Sequence, residues 1–258
     1  MNKIKRNFEY YKDLVLILIE KELKVRYKNS VLGYFWSIAN PLAFAFVFYI
    51  IFQVIMKVQK EQYVIFLLAG LFPWQWFSNS INASPMILFG NASIIKKLSF
   101  PKNIIPLATV LNDMIHFILS IPIIILFLFI YHKTPSLSWF YGIPMLLGIQ
   151  FLIIYGISLI VSSLNLFFRD LERLVNIAVT ILFYFTPIIY SEAMIPEKYR
   201  HLIYFNPFAP IMISWRDLFL SGRMQPQYVI ISFIYGILIF VTGYFMYRKL
   251  SWRFAEVL

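Results

Sequence analysis

Cysteine is absent from the 258 residues. That excludes a disulfide framework, a thiolate metal site and a cysteine nucleophile. Charged residues are scarce as well, at 14%, against about 25% in a soluble domain. Glycine is limited to nine residues, with no Gly-Lys dipeptide and no phosphate-cradling loop. The chain therefore carries no motif for hydrolysing ATP itself. What it has in excess is apolar surface: 60% of residues are hydrophobic and the mean hydropathy is +0.74. A soluble fold of this length would lack the polar residues to cover its exterior. An ordinary soluble enzyme and a disordered chain are excluded, and an all-α polytopic membrane protein is predicted, with one domain over 1–258.

Runs free of Asp, Glu, Lys and Arg cover 29–56, 62–95, 134–168, 174–191 and 224–247, and 103–132 is interrupted only by Asp113. Each can cross ~30 Å of hydrocarbon, which takes about 20 helical residues. Six spans follow, at 34–56, 63–84, 104–131, 142–167, 174–191 and 227–247, with Pro41 predicted to kink or break the first. The net charge of +11 would point to nucleic acid in a soluble protein. Here 16 of the 23 Lys and Arg residues fall on the side of the N-terminus and seven on the other. That bias places both termini in the cytoplasm and accounts for the excess without nucleic acid. The first apolar run, 14–19, is short and is followed by Glu20, Lys21 and Glu22, so no signal peptide is predicted.

Three segments are not spans. Residues 8–29 mix charge with apolar residues: Glu9, Asp13, Glu20 and Lys24 share one stripe, broken by Leu16, and Tyr11, Val15, Leu18 and Ile19 lie opposite. This reads as an amphipathic helix in the cytoplasmic interface, or as a plain basic retention segment. Residues 91–100 form a short cytoplasmic helix, capped by Asn91 or Ser93 and ended by Pro101. Its predicted exposed face carries Ile94, Ile95, Lys97 and Leu98, beside Lys96. Such a face fits docking on a partner or an ordinary basic loop. Residues 191–223, outside, contain Pro196, Pro207 and Pro210, and Asn206-Pro207 separates two short helical pieces at 194–205 and 209–221. With Ile211, Ile213, Trp215, Leu218, Phe219 and Leu220 on the second piece, the pair reads as re-entrant or as a surface loop.

Chemistry-bearing groups are few. Asp113 is the only carboxylate well inside a span, where a charge costs ~2.5–3.5 kcal/mol at the bilayer centre. His116 stands one helical turn away. The two fit a proton relay, a metal-ligand pair, or hydrogen bonding to another helix together with Asn112. His132 and His201 lie outside with no neighbours at ligand spacing. Arg169, Asp170, Glu172 and Arg173 read as a charged clamp in a tight turn between spans four and five. Aromatics reach 19%, with 27 Phe, 17 Tyr and 6 Trp. Some belong to interfacial belts. The remainder are either lipid-facing filler or a lining whose rings pack on the C–H faces of sugars.

The motifs also have an order: Tyr-Lys-Asn-Ser-Val-Leu-Gly at 27–33, Trp36, Pro41, Gly-Leu-Phe-Pro-Trp at 70–74 and Lys-Lys-Leu-Ser-Phe-Pro at 96–101. Arg169-Asp170, Pro-Ile-Ile-Tyr at 187–190, Asn206-Pro207 and Arg-Phe-Ala-Glu-Val-Leu at 253–258 follow. From Glu22 to Leu258 the chain resembles permease subunits of ABC-2 type polysaccharide exporters, in the O-antigen (Wzm-type) and teichoic-acid branch. The resemblance implies a homodimer with two ATP-binding subunits, which hold the ATP and Mg, while this chain carries no cofactor, no metal and no catalytic residue. It makes 8–29 the interface helix, 91–100 the coupling helix that docks on the ATPase through Ile94, Ile95, Lys96, Lys97 and Leu98, and 194–221 the outer gate, with Asn206, Pro207, Pro210 and Trp215. It implies a bacterial inner-membrane protein that moves a polyprenyl-diphosphate-linked O-antigen from cytoplasm to periplasm, with a teichoic-acid or capsule glycan as the alternative cargo. On that basis spans one and five would wall the path. Tyr49, Phe183 and Tyr184 would face it, and Arg26 and Lys28 would meet the diphosphate at its entrance or serve topology alone. The competing class is a small membrane enzyme or proton-coupled transporter built on Asp113 and His116.

Overall fold

In hydrocarbon no water reaches the backbone, so a charge-free run must close its own hydrogen bonds. The computed structural model accordingly holds helices and, among the described residues, no strand. It describes residues 2–26, 35–55, 57, 62–97 and 100–254.

Helix α1 (Asn2–Arg26) precedes α2 (Trp36–Tyr49), which continues as a π-helix over Ile50–Ile55. Next come α3 (Tyr63–Ala83), a 3-10 turn at Ser84–Met86, α4 (Ile87–Gly90) and the short α5 (Ala92–Lys97). The long helices α6 (Ile104–Ile130) and α7 (Trp139–Asn165) are followed by α8 (Leu171–Phe185). Then α9 (Glu197–Arg200), a 3-10 segment at His201–Phe205, and α10 (Ala209–Ser221) lead to α11 (Pro226–Leu250).

Among the described residues, four helical stretches are long and apolar enough to cross a membrane: Tyr63–Gly90, Ile104–Ile130, Trp139–Asn165 and Pro226–Arg253. The first and fifth predicted spans correspond to shorter helices. α2 runs past position 41 without a break. Its departure from α geometry comes later, in the π-helix. α8 ends at Phe185 rather than at 191, where the charge-free run ends. Thr186 precedes Pro187 and is extended, with ψ 134°, the conformation that a following proline imposes. With 15 residues α8 is about 22 Å long at ~1.5 Å per residue.

α3 is the hub. It packs on α2, α6, α7, α8 and α10, and Ile65, Leu67, Leu68 and Ala69 are fully buried along it. α7 and α11 form the most intimate pair, because glycines let their backbones touch. A Cβ on Gly243 would lie 2.2 Å from the Gly156 carbonyl oxygen. α1 lies along α6. Its apolar run is split: Leu18 is buried, Leu14, Val15 and Ile19 pack on the core, and Leu16 and Ile17 are exposed. α2 and α8 each leave an apolar face uncovered in the single chain, with Phe44, Phe46 and Val47 on the former and Leu174, Ile177, Ile181 and Phe185 on the latter.

Candidate functional site

A groove of about 380 Å³ opens between α2, α3 and α8. One wall is aromatic. Phe44 and Phe48 come from α2, Trp74 from α3, and Phe183 and Tyr184 from α8. Phe183 is the junction, with ring centroids 5.7 Å from Trp74, 6.1 Å from Phe48 and 5.3 Å from Tyr184. The other wall is polar: Gln75, Ser78, Asn79 and Asn82 of α3, with Thr180 of α8. The four α3 residues are spaced i, i+3, i+4 and i+7, so they form one stripe on a helix. None of the lining residues is charged. The groove can therefore offer ring faces and amide hydrogen bonds together, without an ion to trap a neutral cargo.

Phe183 and Tyr184, predicted to face a path, both line this groove. Tyr49 does not; it lies toward Tyr131 at the end of α6. Successive helical residues point about 100° apart, so with Phe44 and Phe48 on the groove, Tyr49 turns away. The polar stripe of α3 was missed by sequence reasoning. Its signal was legible, as four polar residues at helical spacing within a charge-free span.

Beyond Trp74 the aromatic chain continues to the 194–221 segment. The rings of Trp74 and Phe77 approach Phe208 to 6.2 and 4.0 Å. Asn206 Oδ1 accepts from the Phe208 N–H, and its Nδ2 donates to Thr186 Oγ1 at 3.0 Å and, more weakly, to the Phe185 carbonyl at 3.4 Å. The turn at Asn206-Pro207 thus holds the end of α8. Pro210 sits in the first turn of α10, where its missing N–H costs nothing. Gly222, at φ +65°, ends that helix, and a Cβ there would strike Ser136. Trp215 is fully buried. Its Nε1 donates to Gln150 Oε1 at 2.6 Å, and Gln150 Nε2 donates to the Pro73 carbonyl at 2.8 Å. α10 is therefore rooted between α3 and α7.

Arg216, which the charge pattern reads only as one outside cation, is 6% exposed. Its guanidinium lies over the ring of Phe66. It donates to the carbonyls of Pro187, Ile188 and Tyr190, the last two at 3.0 and 3.4 Å. Tyr63 adds a bond to the carbonyl of Ile189 at 2.8 Å. These four carbonyls lost their helical partners when α8 ended at Phe185, and buried carbonyls need donors. An arginine within the otherwise apolar 209–216 stretch is the signal that could have marked it.

Asp113 is 1% exposed, and its Oδ2 accepts from Ser80 Oγ at 2.8 Å. One helical turn earlier, Trp76 Nε1 donates to the Val110 carbonyl. The carboxylate therefore joins α6 to α3. His116 and Asn112 are buried on the same helix. The charged turn is no ion-pair clamp among the described residues; Arg169 lies instead over the Phe89 ring, 5.6 Å from its centroid.

α5 differs from its predicted presentation. Ile95 is 4% exposed and belongs to the core. Ile94 is half-buried, and Ser93, Lys96 and Lys97 are exposed. A six-residue helix lying on its own chain must bury one apolar side chain there, so the surface it offers a partner is basic. Lys21 of α1 donates to Asn91 Oδ1, which ties the N-terminal helix to the start of α5. Leu98, Lys28 and the side chain of Arg26 lie outside the described residues.

The similarities to known proteins agree with this architecture. A family model described as ABC-2 type transporter matches residues 13–220. The chain is 49% identical over 256 residues to the O-antigen export system permease protein RfbA of Klebsiella pneumoniae, covering 99% of both chains. It is 28% identical over 227 residues to the protein of the same name from Myxococcus xanthus, covering 87% of this chain and 86% of the relative. Similarity to the polysialic acid transport protein KpsM of Escherichia coli is lower, 22% over 220 residues, covering 84% and 85%.

Proposed function

Because the chain belongs to the ABC-2 type transporter family, we propose that it is the permease subunit of an O-antigen exporter. In this reading two copies span the bacterial inner membrane six times each, with both termini in the cytoplasm. Two separate ATP-binding subunits hold ATP and Mg, and they dock on α1 and α5. The cargo is a glycan on a polyprenyl diphosphate, moved from the cytoplasm to the periplasm. The capsule alternative is less favoured, since KpsM relatives are far more distant than the O-antigen permease. A teichoic-acid glycan would use the same chemistry.

One observation carries the reading: the uncharged groove that pairs rings with an amide stripe. A sugar has apolar C–H faces and a polar hydroxyl edge. The rings cover the former. Gln75, Asn79 and Asn82 exchange hydrogen bonds with the latter, each worth only about 1 kcal/mol net. No step along the path is deep, so the chain slides. The groove opens beside the uncovered faces of α2 and α8, where a second copy would complete a channel. Phe208, just before α10, packs on Trp74 of the groove wall, and the carbonyl clamp of Arg216 links α10 to the segment that follows α8.

The test is surface O-antigen in a strain lacking its own permease, supplied with this chain and its ATP-binding partner. Gln75→Leu together with Asn79→Leu should lower export by about tenfold, as two lost hydrogen-bonding groups predict, with the protein level unchanged. Full export from that variant would exclude the stripe from the path. Export by this chain without any ATP-binding subunit would exclude the transporter reading itself.

A further inference from the structure

A second concave site lies away from the groove, at the end of the molecule that the proposed topology places in the cytoplasm. The loop that enters α6 and the last turn of α11 enclose a cavity of about 310 Å³. Lys102 and Arg248 line it, together with Asn103, Tyr244, Tyr247 and Trp252. Neither Asp nor Glu is among the lining residues. Its frame is fixed. Tyr155 and Asn103 exchange hydrogen bonds at 3.2 and 3.3 Å, and the buried Phe254 packs edge-on against Tyr247. Tyr247 is 5% exposed, and among the described residues its hydroxyl has no hydrogen-bond partner. Two cations with no carboxylate among the lining residues suit an oxygen-rich anion.

The surface leading to this cavity has the complementary character. Phe233, Ile237, Val241 and Tyr244 are exposed on α11, and with Arg248 they form one helical face. An apolar strip thus runs along the helix and ends at two cations. Trp252, exposed beside them, has the amphipathic ring that favours the headgroup level.

We propose that this cavity binds the phosphate of an anionic bilayer phospholipid, with an acyl chain lying along the exposed strip of α11. A phosphate on a lipid could also come from the cargo's own polyprenyl diphosphate. The position of the site favours the bilayer lipid. α11 packs mainly on α7 and α10, whereas the groove is bounded by α2, α3 and α8. Lys102 follows α5 closely in sequence, so an occupied site would brace the base of that helix against α11.

The test uses the full-length chain with its accompanying subunits in detergent, analysed by native mass spectrometry. The probes are phosphatidylglycerol, phosphatidylcholine with the same acyl chains, and undecaprenyl diphosphate. Phosphatidylglycerol should be retained at least about tenfold more strongly than phosphatidylcholine, whose choline cation beside the same phosphate is repelled by Lys102 and Arg248 and finds no carboxylate in the lining. Lys102→Gln with Arg248→Gln should abolish that preference. Lys198→Gln with Arg223→Gln, an equal charge change on the opposite side, should leave it intact. Equal retention of the two phospholipids, or equal loss in both double variants, overturns the proposal. Displacement of phosphatidylglycerol by an equal concentration of undecaprenyl diphosphate overturns it too, in favour of the cargo. Should the inner double variant fail to fold, the unaltered protein still decides. Phosphatidylglycerol with a photoreactive headgroup should label peptides covering 100–107 or 241–254, and labelling only elsewhere contradicts the site.

Discussion

The guanidinium of Arg216 lies 3.8 Å from the ring centroid of Phe66 while its N–H groups hold the carbonyls that follow α8. Burial would make a lone cation costly, and burial pushes the side chain's partners to be many rather than one. Among the described residues no carboxylate lies within ion-pair distance of it. Carbonyl dipoles and an aromatic face surround the charge, and Asp217 and Glu192 favour it from beyond ion-pair distance.

Arg216→Gln removes the charge and most of the fork. The clamp's loss should destabilise the permease by about 3 kcal/mol, read as a drop of several degrees in Tm, and should abolish export. Arg216→Lys keeps the charge but cannot reach three carbonyls, and should fall between the two. An unchanged melting curve for Arg216→Gln would show that the clamp does not hold α8.

Asp113 is expected to hold helices together. Asp113→Asn keeps an acceptor for Ser80, so export should persist within a few-fold and acquire no new pH dependence. Ser80→Ala should cost about 1 kcal/mol. Complete loss of transport from a correctly folded Asp113→Asn protein would support a proton relay instead.

Burial of Ile95 changes what a substitution in α5 tests. Ile95→Asp places a carboxylate in the core and should lower stability by roughly 3 kcal/mol, which hides any effect on a partner. Lys96→Glu with Lys97→Glu alters only exposed residues. It should leave Tm unchanged while reducing co-purification of the ATP-binding subunit. Normal co-purification would remove this surface from the docking site.

Much of this was legible in the sequence because hydrocarbon leaves few solutions: charge-free runs become helices, and the proline-rich 191–223 stretch breaks into short pieces on either side of Asn206-Pro207. What was hidden depended on rotation and on contacts distant in the chain. Tyr49 and Phe48 differ by one position, yet only the latter faces the groove. Ile95 turns inward because α5 lies on its own chain. Arg216 and Pro187 are far apart in sequence, and no local pattern announces that one satisfies the other. The α3 stripe was legible but was overshadowed by the aromatics around it.

Asp217 gives a pH signature. It lies in α10, a helix of 13 residues, too short to cross. Burial pushes its carboxyl up to about 6, with Glu192 adding to the shift and Arg216 and Gln225 opposing it. An acid raised in the folded state contributes its stability at low pH, fully present below about 4. That contribution is lost as pH rises to about 6. Tm should therefore be higher at pH 5 than at pH 7.5, and Asp217→Asn should remove that part of the difference. A pH profile identical in the variant would contradict the shift.

In the proposed exporter, glycan passes between the rings of α2 and α8 and the polar stripe of α3. A photo-crosslinking side chain placed at Ser78, in the groove, and in a second protein at Leu238, exposed on α11, tests it during arrested export. Glycan should be trapped at position 78 and not at 238. Glycan trapped at 238 and never at 78 would contradict it.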